Sequence, residues 1–492
     1  MTAPTVRSPR RGPLLTSLLP TAVALVCVLT RLGNRQLWFD EYATWWASSL
    51  PSAAFDRLTE HVDIVFVPYY TFMHAWTWLA GSSTTALRLP EALAMAASAG
   101  LVALVGRRLF TARVGVVAGL LFALLPTVSR YGQEARPYAF AMFFSLLATV
   151  LLLRALDRPS LRVWAGYALA VALTGFSHLV ALSVLAAHAV VVLRARRSGD
   201  PVAHWAFACA AVMGTSVVVP MAYRSTGQSG QIAWNDVSRR DLLWYASDLF
   251  GNWTVATAVL GLAVLGLWAA GRPTAAALAT WALLPPVVTA ATGEWLHLFL
   301  PRYLLFTVPA WALLAAAGAV RVADLLSAVG RGTLWRRARG TALVAAAMAG
   351  FVVLTLPALQ SVREDIPTEP DYAGAARLVK AGQRPGDGIV FHRSYNSRLA
   401  MAYQLREGAR PEDILMKRAP QQTGWFWAHE YQRPSGRLSG SARLWFVSPG
   451  DDDDPYAYMP EEKAKALKDG YTVARTQRLR HVTVQLLERR TQ

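Results

Sequence analysis

The sequence predicts an α-helical polytopic membrane protein of about 11 transmembrane helices, followed by a small C-terminal α/β domain. Of its 492 residues, 54% are apolar and only 16% are charged, whereas soluble domains carry about 25% charged residues. Eighteen tryptophans and a net charge of +18 fit a multi-spanning protein with basic inner loops. All five lysines lie beyond residue 379, which sets the tail apart as a domain of different composition.

Eleven apolar segments approach the roughly 20 residues that a spanning helix needs. They cover residues 14–32, 85–105, 114–130, 136–153, 163–176, 179–193, 203–222, 253–270, 274–292, 303–320 and 341–357. A twelfth apolar stretch, 64–80, contains Pro68, His74 and several aromatic residues. We interpret it as a helix lying at the membrane interface, because it is short and amphipathic in composition.

The distribution of arginine supports this assignment of 64–80. If this stretch does not cross, the inner segments contain 18 arginines against three aspartates, which is the bias that cytoplasmic loops carry. We therefore expect a cell-membrane, multi-pass protein whose N-terminal segment, 1–13, is cytoplasmic. Residues 14–358 form the transmembrane domain, 33–84 its first outer loop, and 359–492 the extracytoplasmic domain. Because the basic residues lie in loops and form no patch interleaved with aromatics, nucleic-acid binding is not expected.

Alternating helix and strand patterns in the tail predict the α/β domain. The predicted helices cover residues 371–381, 397–405 and 460–468. The predicted strands cover 387–392, 443–447 and 482–487.

The predicted topology brings polar and ionisable residues to one side of the membrane, where such groups are costly and usually functional. They are Asp40, Glu41, Asp63, Gln133, Glu134, Arg136, His178, His297 and Arg302. Asp40 is expected where a helix ends and a loop begins, and its carboxylate could take a proton from an acceptor hydroxyl. Arg136 and Arg302 could bind a phosphate in bidentate fashion. The acidic groups with a histidine could instead bind a divalent metal ion.

Each of these groups also has a purely structural interpretation. Asp40 and Glu41 could mark a helix terminus or a solvated loop, and Glu134 could form a surface pair with Arg136. His178 could be a hydrogen-bonded packing residue. From the residues alone, the pattern supports a polar site at the outer membrane surface and nothing more specific.

Several motifs resemble those of bacterial GT-C superfamily glycosyltransferases, the group of protein O-mannosyltransferases and the lipid A aminoarabinose transferase. The resemblance covers about 14–320 and rests on WFDEYATWW (38–46), HVDIVFVPYYTFMHAWTWLAG (61–81), YGQEARPYAF (131–140), SHLVAL (177–182) and PRYLLFTVPAWALLAA (301–316). Two motifs depart from the family pattern: Val67-Pro68-Tyr69 replaces the usual P-P-L, and Ser177-His178-Leu179 replaces T-H-Y.

The resemblance implies a role for each matching residue. Asp40 corresponds to the proposed catalytic base, and Glu41 to a neighbour that orients the base or the acceptor. Arg302, with Tyr303 beside it, matches the arginine of the P-R-Y-L motif expected on the donor phosphate. The remaining expected donor- or acceptor-binding residues are Asp63, Gln133, Glu134, Arg136, Tyr138, His178 and His297.

The sequence thus predicts an inverting membrane glycosyltransferase of GT-C type. It would move a sugar from a polyprenyl-phosphate donor to a hydroxyl on a cell-envelope glycan, lipid or protein, at the outer face of the cytoplasmic membrane. The alternatives are a transporter or flippase of a lipid-linked saccharide, which would favour polar residues at mid-span and repeat symmetry, and an envelope-assembly scaffold. The sugar, the acceptor, a metal requirement and the oligomeric state stay open.

Overall fold

A computed structural model describes residues 11–195, 201–328, 333–392 and 396–490. Residues 1–10, most of the predicted cytoplasmic N-terminal segment, lie outside this set. The chain divides into two compact units. The helical unit comprises the residues up to Asn34 together with Arg88–Glu364, and the mixed unit comprises Arg35–Leu87 together with Asp365–Gln492.

The helical unit is built from apolar helices of very different lengths. Its α-helices are Arg11–Leu29, Thr84–Leu109 (which begins in the mixed unit), Ala112–Leu124, Pro126–Gly132, Tyr138–Asp157, Leu161–Ser177, Val184–Ala195, Pro201–Ser216, Val219–Thr226, Arg239–Phe250, Trp253–Ala269, Arg272–Ala291, Gly293–Leu296, Val308–Ser327 and Thr333–Ser361. Short 3₁₀ segments cover Leu179–Ser183, Ser229–Gln231 and Pro301–Thr307.

By length and composition, five helices in the described part of the chain could each cross a membrane. Three further candidates are pairs of helices bent by 47° to 83° at a short break, and three more apolar helices are shorter than 18 residues. Each of the eleven apolar segments of the sequence falls on one of these helices or pairs. Hydropathy located the segments but not the bends, because a break of one or two residues hardly changes a windowed average.

Close helix packing in this unit depends on small residues. Gly266 on helix Trp253–Ala269 and Gly318 on helix Val308–Ser327 face the neighbouring backbone, where a Cβ would overlap the carbonyl oxygens of Leu314 and Leu262. Small residues let apolar helices approach closely, which strengthens van der Waals packing. The same core contains Trp281, whose Nε1 donates to the carbonyl of Phe306 at 2.9 Å.

The mixed unit contains a five-stranded sheet with helices packed against it. In spatial order its strands are Glu412–Asp413, Gly388–Phe391, Arg443–Pro449, Val482–Arg489 and Tyr471–Leu479. The first three strands are parallel and the remaining pairings are antiparallel. A separate antiparallel pair joins Met416–Arg418 to His429–Glu430. The predicted helices and strands of the tail are present with shifts of a few residues. The short strands Glu412–Asp413, Met416–Arg418 and His429–Glu430 and the long strand Tyr471–Leu479 were not predicted.

Strand Tyr471–Leu479 lies at the edge of the sheet and has an unusual pattern of exposure. Residues 472–476 are all exposed, and the whole strand contains two arginines, Arg475 and Arg478. Charged residues on an edge strand prevent it from pairing with other chains. They also interrupt the alternation of apolar and polar residues by which a strand is recognised in a sequence. This strand is identified only by its antiparallel pairing with Val482–Arg489.

The remaining helices of the mixed unit come from both of its chain segments. They are Phe39–Ser49, Ser52–His61, Val67–Ala80, Tyr372–Gly382, Asn396–Gln404, Pro420–Thr423, Ser435–Leu438 and Glu461–Gly470. Hydrogen bonds join the two segments, including Gln36 Nε2 to Pro370 O at 2.7 Å and Gln404 Nε2 to the Tyr42 hydroxyl at 3.1 Å. The interfacial helix of the sequence analysis, 64–80, is here a 3₁₀ turn, Ile64–Phe66, followed by a 14-residue helix.

Candidate active site

Asp40 lies in the first turn of a helix that the sequence analysis did not predict. Helix Phe39–Ser49 begins after Trp38, whose backbone is extended (φ −98°, ψ 175°). The expectation that Asp40 stands where a helix ends and a loop begins was therefore wrong. Its carboxylate instead stands at a helix N-terminus, where the unsatisfied N–H groups favour negative charge. The side chain is partly exposed, so a substrate can reach it.

Glu41 holds the start of this helix in place. It is fully buried, and its Oε2 accepts a hydrogen bond from the backbone N–H of Trp38 at 3.2 Å. This is the reciprocal contact that a glutamate at the third helical position makes in a capping box. Glu41 is therefore a positioning residue for Asp40, with a carboxylate occupied inside the protein.

Asp63 is held by a hydrogen bond from a buried tyrosine. The hydroxyl of Tyr70 donates to Asp63 Oδ2 at 2.6 Å, and Asp63 adopts a left-handed backbone conformation with φ +60°. Aspartate tolerates this conformation better than most residues. The helix that follows, Val67–Ala80, is tied to the Asp40 helix because His74 Nδ1 lies 2.8 Å from Ser48 O. Asp40, Glu41 and Asp63 thus belong to one packed part of the mixed unit.

The motif 131–140 forms a buried turn in the helical unit. Glu134 is fully buried and Arg136 is only 5% exposed. Glu134 Oε2 lies 3.3 Å from Arg130 Nη2, one helical turn earlier. Both side chains of the Glu134 and Arg136 pair considered from the sequence therefore lie inside the protein and not at its surface.

Gln133 connects this turn to the first helix of the chain. Its Nε2 donates to the carbonyl oxygens of Val28 and Thr30, both at 2.8 Å. These carbonyls lie at the end of helix Arg11–Leu29, where backbone acceptors have no partner within the helix. The Gln133 side chain is buried, so its contacts indicate a structural role in holding the turn.

A ring cluster surrounds His178, at the break after helix Leu161–Ser177. The ring centroid of Tyr303 lies 4.7 Å from that of His178, and the ring of Tyr138 lies 5.9 Å away. Burial, with smaller contributions from Arg136 and Arg302, lowers the pKa of His178 to about 3. The imidazole is therefore neutral near pH 7, and its buried Nδ1 has no hydrogen-bond partner among the described residues.

A cavity of about 370 Å³ opens beside this cluster, within the helical unit. Arg130 and Arg302 both line it, with the carboxylate of Asp248 and the buried hydroxyl of Thr127. Two guanidinium groups facing one cavity are suited to a phosphate, because their planar donor pairs match its oxygens.

Arg130 is the functional candidate that the sequence analysis missed. The sequence predicts phosphate binding by Arg136 and Arg302, but Arg136 is not among the residues that line the cavity. Arg130 directly precedes the motif YGQEARPYAF. Its position next to a predicted site motif is the sequence feature that could have identified it. It was overlooked because 130 was counted as the end of a membrane span.

His297 lies apart from the ring cluster, in a loop held by Asn235. The Asn235 side-chain amide donates to His297 O at 2.7 Å, and His297 Nδ1 lies 3.3 Å from both Asn235 O and Asp236 Oδ1. The histidine also adopts φ +51°. These contacts fix the turn that leads into Pro301–Thr307, the segment that carries Arg302 and Tyr303.

No metal-binding arrangement was found in the described part of the chain. Among those residues, no three His, Cys, Asp or Glu side chains are grouped so that they could hold a metal ion.

Comparisons with known proteins relate this chain to glycosyltransferases. Residues 66–223 match the family model described as dolichyl-phosphate-mannose-protein mannosyltransferase. The structure is similar to ArnT from Cupriavidus metallidurans in the apo state, with a TM-score of 0.61, 14% identity, and coverage of 95% of this chain and 97% of that one. No curated protein matches the chain significantly.

Two further solved structures carry ligands. ArnT from Cupriavidus metallidurans bound to undecaprenyl phosphate matches with a TM-score of 0.60 and 15% identity, over 97% of this chain and 98% of that one. Oligosaccharyltransferase AglB from Archaeoglobus fulgidus, in complex with an inhibitory peptide and a dolichol-phosphate, matches with a TM-score of 0.51 and 10% identity, over 88% and 69%. The resemblance to GT-C glycosyltransferases is confirmed, and the shared feature is the fold.

Proposed function

We propose that this chain, which has the fold of the GT-C glycosyltransferases, is a membrane enzyme that transfers a sugar from a polyprenyl-phosphate donor to a hydroxyl acceptor. The observation that carries the proposal is the cavity lined by Arg130 and Arg302. It lies in a chain whose fold matches, over 97% of its length, a protein solved with undecaprenyl phosphate. Guanidinium groups would hold the phosphate of such a donor and stabilise the charge that builds up as the phosphate leaves.

In the proposed reaction Asp40 acts as the general base. Its carboxylate takes the proton of the acceptor hydroxyl while that oxygen forms a bond to the anomeric carbon of the sugar. The bond from the anomeric carbon to the phosphate oxygen breaks, and the polyprenyl phosphate leaves with the electron pair. Attack from the face opposite the leaving group inverts the anomeric configuration.

The other site residues support these two groups. Glu41 fixes the helix start that carries Asp40, and Asp63 takes part on the acceptor side. Glu134 orients Arg130, while Arg136, Tyr138, His178 and Tyr303 form the wall behind Arg302. Gln133 and His297 hold the two segments that carry the arginines. A divalent metal and a particular sugar are not assigned.

We further propose eleven membrane spans between 14 and 358, with the N-terminus in the cytoplasm. The residues beyond 358 then face the outside of the cytoplasmic membrane, and the 64–80 segment lies at the interface. The length of helix Val67–Ala80, 14 residues, supports this, because it is shorter than the roughly 20 residues that a crossing requires.

A transfer assay on the purified full-length chain tests the proposed function. The protein in lipid nanodiscs is supplied with a panel of polyprenyl-phosphate hexoses and pentoses, a mixture of envelope lipids, glycans and peptides as acceptors, and no nucleotide. Release of polyprenyl phosphate with appearance of a glycosylated acceptor supports the proposal, and parallel reactions with a chelator settle the metal requirement. Binding of donors without transfer to any acceptor, together with their movement across the bilayer, would instead identify a transporter.

A further inference from the structure

A cavity of about 990 Å³ lies in the helical unit, where several helices begin or end. Its lining comes from the turn between helices Thr84–Leu109 and Ala112–Leu124, the last residue of helix Trp253–Ala269, the C-terminal part of helix Val308–Ser327 and the first turns of helix Thr333–Ser361. In the proposed topology these ends face the cytoplasm. The proposed reaction takes place at the outer face of the membrane and assigns this cavity no role.

The charged residues of this lining are mostly cations. They are Arg113, Arg321, Arg336, Arg337 and, as the one acidic residue among the described residues of the lining, Asp324. Arg113 Nη1 lies 2.6 Å from Asp324 Oδ1, and Arg113 Nη2 donates to the carbonyl of Gly340. Four positive charges against one negative charge leave the lining with a net charge of +3.

This excess of positive charge is more than helix orientation requires. Arginines that orient a membrane protein need only lie on its inner side, as Arg108 does where it pairs with Asp157. Here several arginines instead line one cavity whose single carboxylate is already paired with Arg113. Guanidinium groups match phosphate oxygens in bidentate fashion, so the charge and the donor geometry both favour a phosphate.

Apolar residues of the candidate membrane spans form another part of the lining. They include Val114, Ala269, Ala317 and Val320, with Phe110 in the turn between two helices. An inorganic phosphate would leave this apolar part uncovered. A phospholipid would place its phosphate among the arginines and the upper part of an acyl chain against the apolar residues, so the lining fits a lipid better than a free ion.

The start of helix Thr333–Ser361 indicates how deep this cavity lies in the membrane. Leu334 and Trp335 are 81% and 53% exposed, and the guanidinium carbon of Arg339 lies 5.2 Å from the ring centroid of Trp335. Tryptophan is enriched at the level of the lipid headgroups, and arginine keeps its charged end in the polar layer. The first turns of this helix are therefore expected among the headgroups.

We propose that this cavity binds an anionic phospholipid, such as phosphatidylglycerol, from the cytoplasmic leaflet. Basic pockets between membrane helices on the cytoplasmic side are suited to such headgroups. The bound phosphate bridges Arg321 on one helix and Arg336 and Arg337 on the next, and so holds the two helix ends together. The word cytoplasmic rests on the proposed topology, whereas the lipid site does not depend on the proposed transfer reaction.

Lipid binding is measured directly by native mass spectrometry of the purified full-length protein in detergent. The probes are dioleoyl phosphatidylglycerol, dioleoyl phosphatidylcholine and inorganic phosphate. We expect one saturable phosphatidylglycerol adduct, with phosphatidylcholine binding at least about tenfold more weakly because its headgroup has no net charge. Equal binding of the two lipids would overturn the proposal. Displacement of phosphatidylglycerol by inorganic phosphate at similar concentrations would identify a free-phosphate site and overturn the lipid assignment.

Charge-matched double variants locate the adduct in this cavity. Arg336→Gln with Arg337→Gln removes two exposed cations of the lining and should weaken phosphatidylglycerol binding about 25-fold, or about fivefold for each arginine. The control, Arg158→Gln with Arg162→Gln, removes two exposed arginines on the same predicted side of the membrane and should leave binding unchanged. Equal weakening in both variants would mean general attraction by charge, and unchanged binding in the first would exclude the site.

Thermal unfolding gives a second readout that no transfer activity is needed to interpret. Phosphatidylglycerol should raise the apparent melting temperature of the wild type and of the control variant, because a ligand that binds only the folded state stabilises it. The same lipid should raise that of the Arg336 and Arg337 variant much less. A loss of lipid binding with normal sugar transfer would leave the proposed function standing, and lipid binding without any transfer would leave this site standing.

Discussion

Arg130 Nη2 lies 3.3 Å from Glu134 Oε2, and this pair connects a fully buried carboxylate to an arginine that lines the cavity of about 370 Å³. Arg130 lies in the short helix Pro126–Gly132, and Glu134 follows four residues later, beyond the end of that helix. Glu134 thereby holds the orientation of Arg130 from inside the protein. In the proposed reaction, Glu134 is therefore a positioning residue and Arg130 is the group that binds the donor phosphate.

Replacing Glu134 by Gln should destabilise the protein. The change leaves a neutral amide beside Arg130 and should lower the free energy of unfolding by about 1–3 kcal/mol, the cost of disturbing a buried polar contact. Thermal unfolding of the purified protein in detergent measures the effect. The control is Asp157→Asn, which breaks the exposed pair with Arg108 and should cost at most about 1 kcal/mol. Equal shifts for both variants would contradict the role assigned to Glu134.

Asp40→Asn should remove the proposed base while preserving the helix start. Asparagine has nearly the same shape but cannot take the proton, so transfer should fall by about 100- to 10,000-fold. The decrease is measured from initial rates of transfer with a polyprenyl-phosphate sugar as donor and a saturating concentration of acceptor. Asp56→Asn, at an exposed aspartate of the same unit, should keep the wild-type rate. Near-normal turnover of the Asp40 variant would remove Asp40 from the mechanism.

Arg130→Ala and Arg302→Ala should weaken use of the donor. Each loses a charge-assisted hydrogen bond to phosphate, worth about 1.5–3 kcal/mol, so the KM for donor should rise about 10- to 150-fold if substrate binding sets KM. The KM for acceptor should change much less. The matched control is Arg162→Ala, at an exposed arginine of the helical unit. Equal effects on donor and acceptor would argue against a phosphate role.

Because of His178, we expect the stability of the folded protein to fall as the pH drops below about 6.5, the ordinary pKa of histidine. Its folded-state pKa is about 3, held down mainly by burial and secondarily by Arg136 and Arg302, whereas an unperturbed histidine titrates near pH 6.5. Between these values the unfolded chain binds a proton that the folded chain does not, so stability is lost as pH falls from about 6.5.

Comparison with His178→Asn isolates this contribution. Apparent melting temperatures measured between pH 7 and pH 4.5 should fall less steeply in the variant than in the wild type. His61→Gln, at an exposed histidine, should preserve the wild-type slope. A variant slope equal to that of the wild type would mean that His178 is protonated in the folded protein.

Local patterns predicted the helical segments well, because each is recognisable from its own apolar residues. They failed where the decisive partner is distant in sequence. Asp40 was placed at a helix end because 39–49 carries mixed polarity, and the helix is stabilised by a cap from Glu41 and by packing against residues of the tail. Arg130 was missed because it ends a predicted membrane span, and the cavity that it lines together with Arg302, more than 170 residues later, is visible only in the structure.

The sequence by itself determined that this is a helical membrane protein with motifs of the GT-C glycosyltransferases. Composition, the length of apolar runs and short motifs are local properties of the sequence. They can be recognised without knowing which residues are in contact. Only the tertiary structure decided that 35–87 packs with 365–492, that Glu134 faces Arg130, and that Arg113 and Arg337 line one cavity. Those facts depend on which distant surfaces are buried together, and that choice is made by the packing of the whole chain.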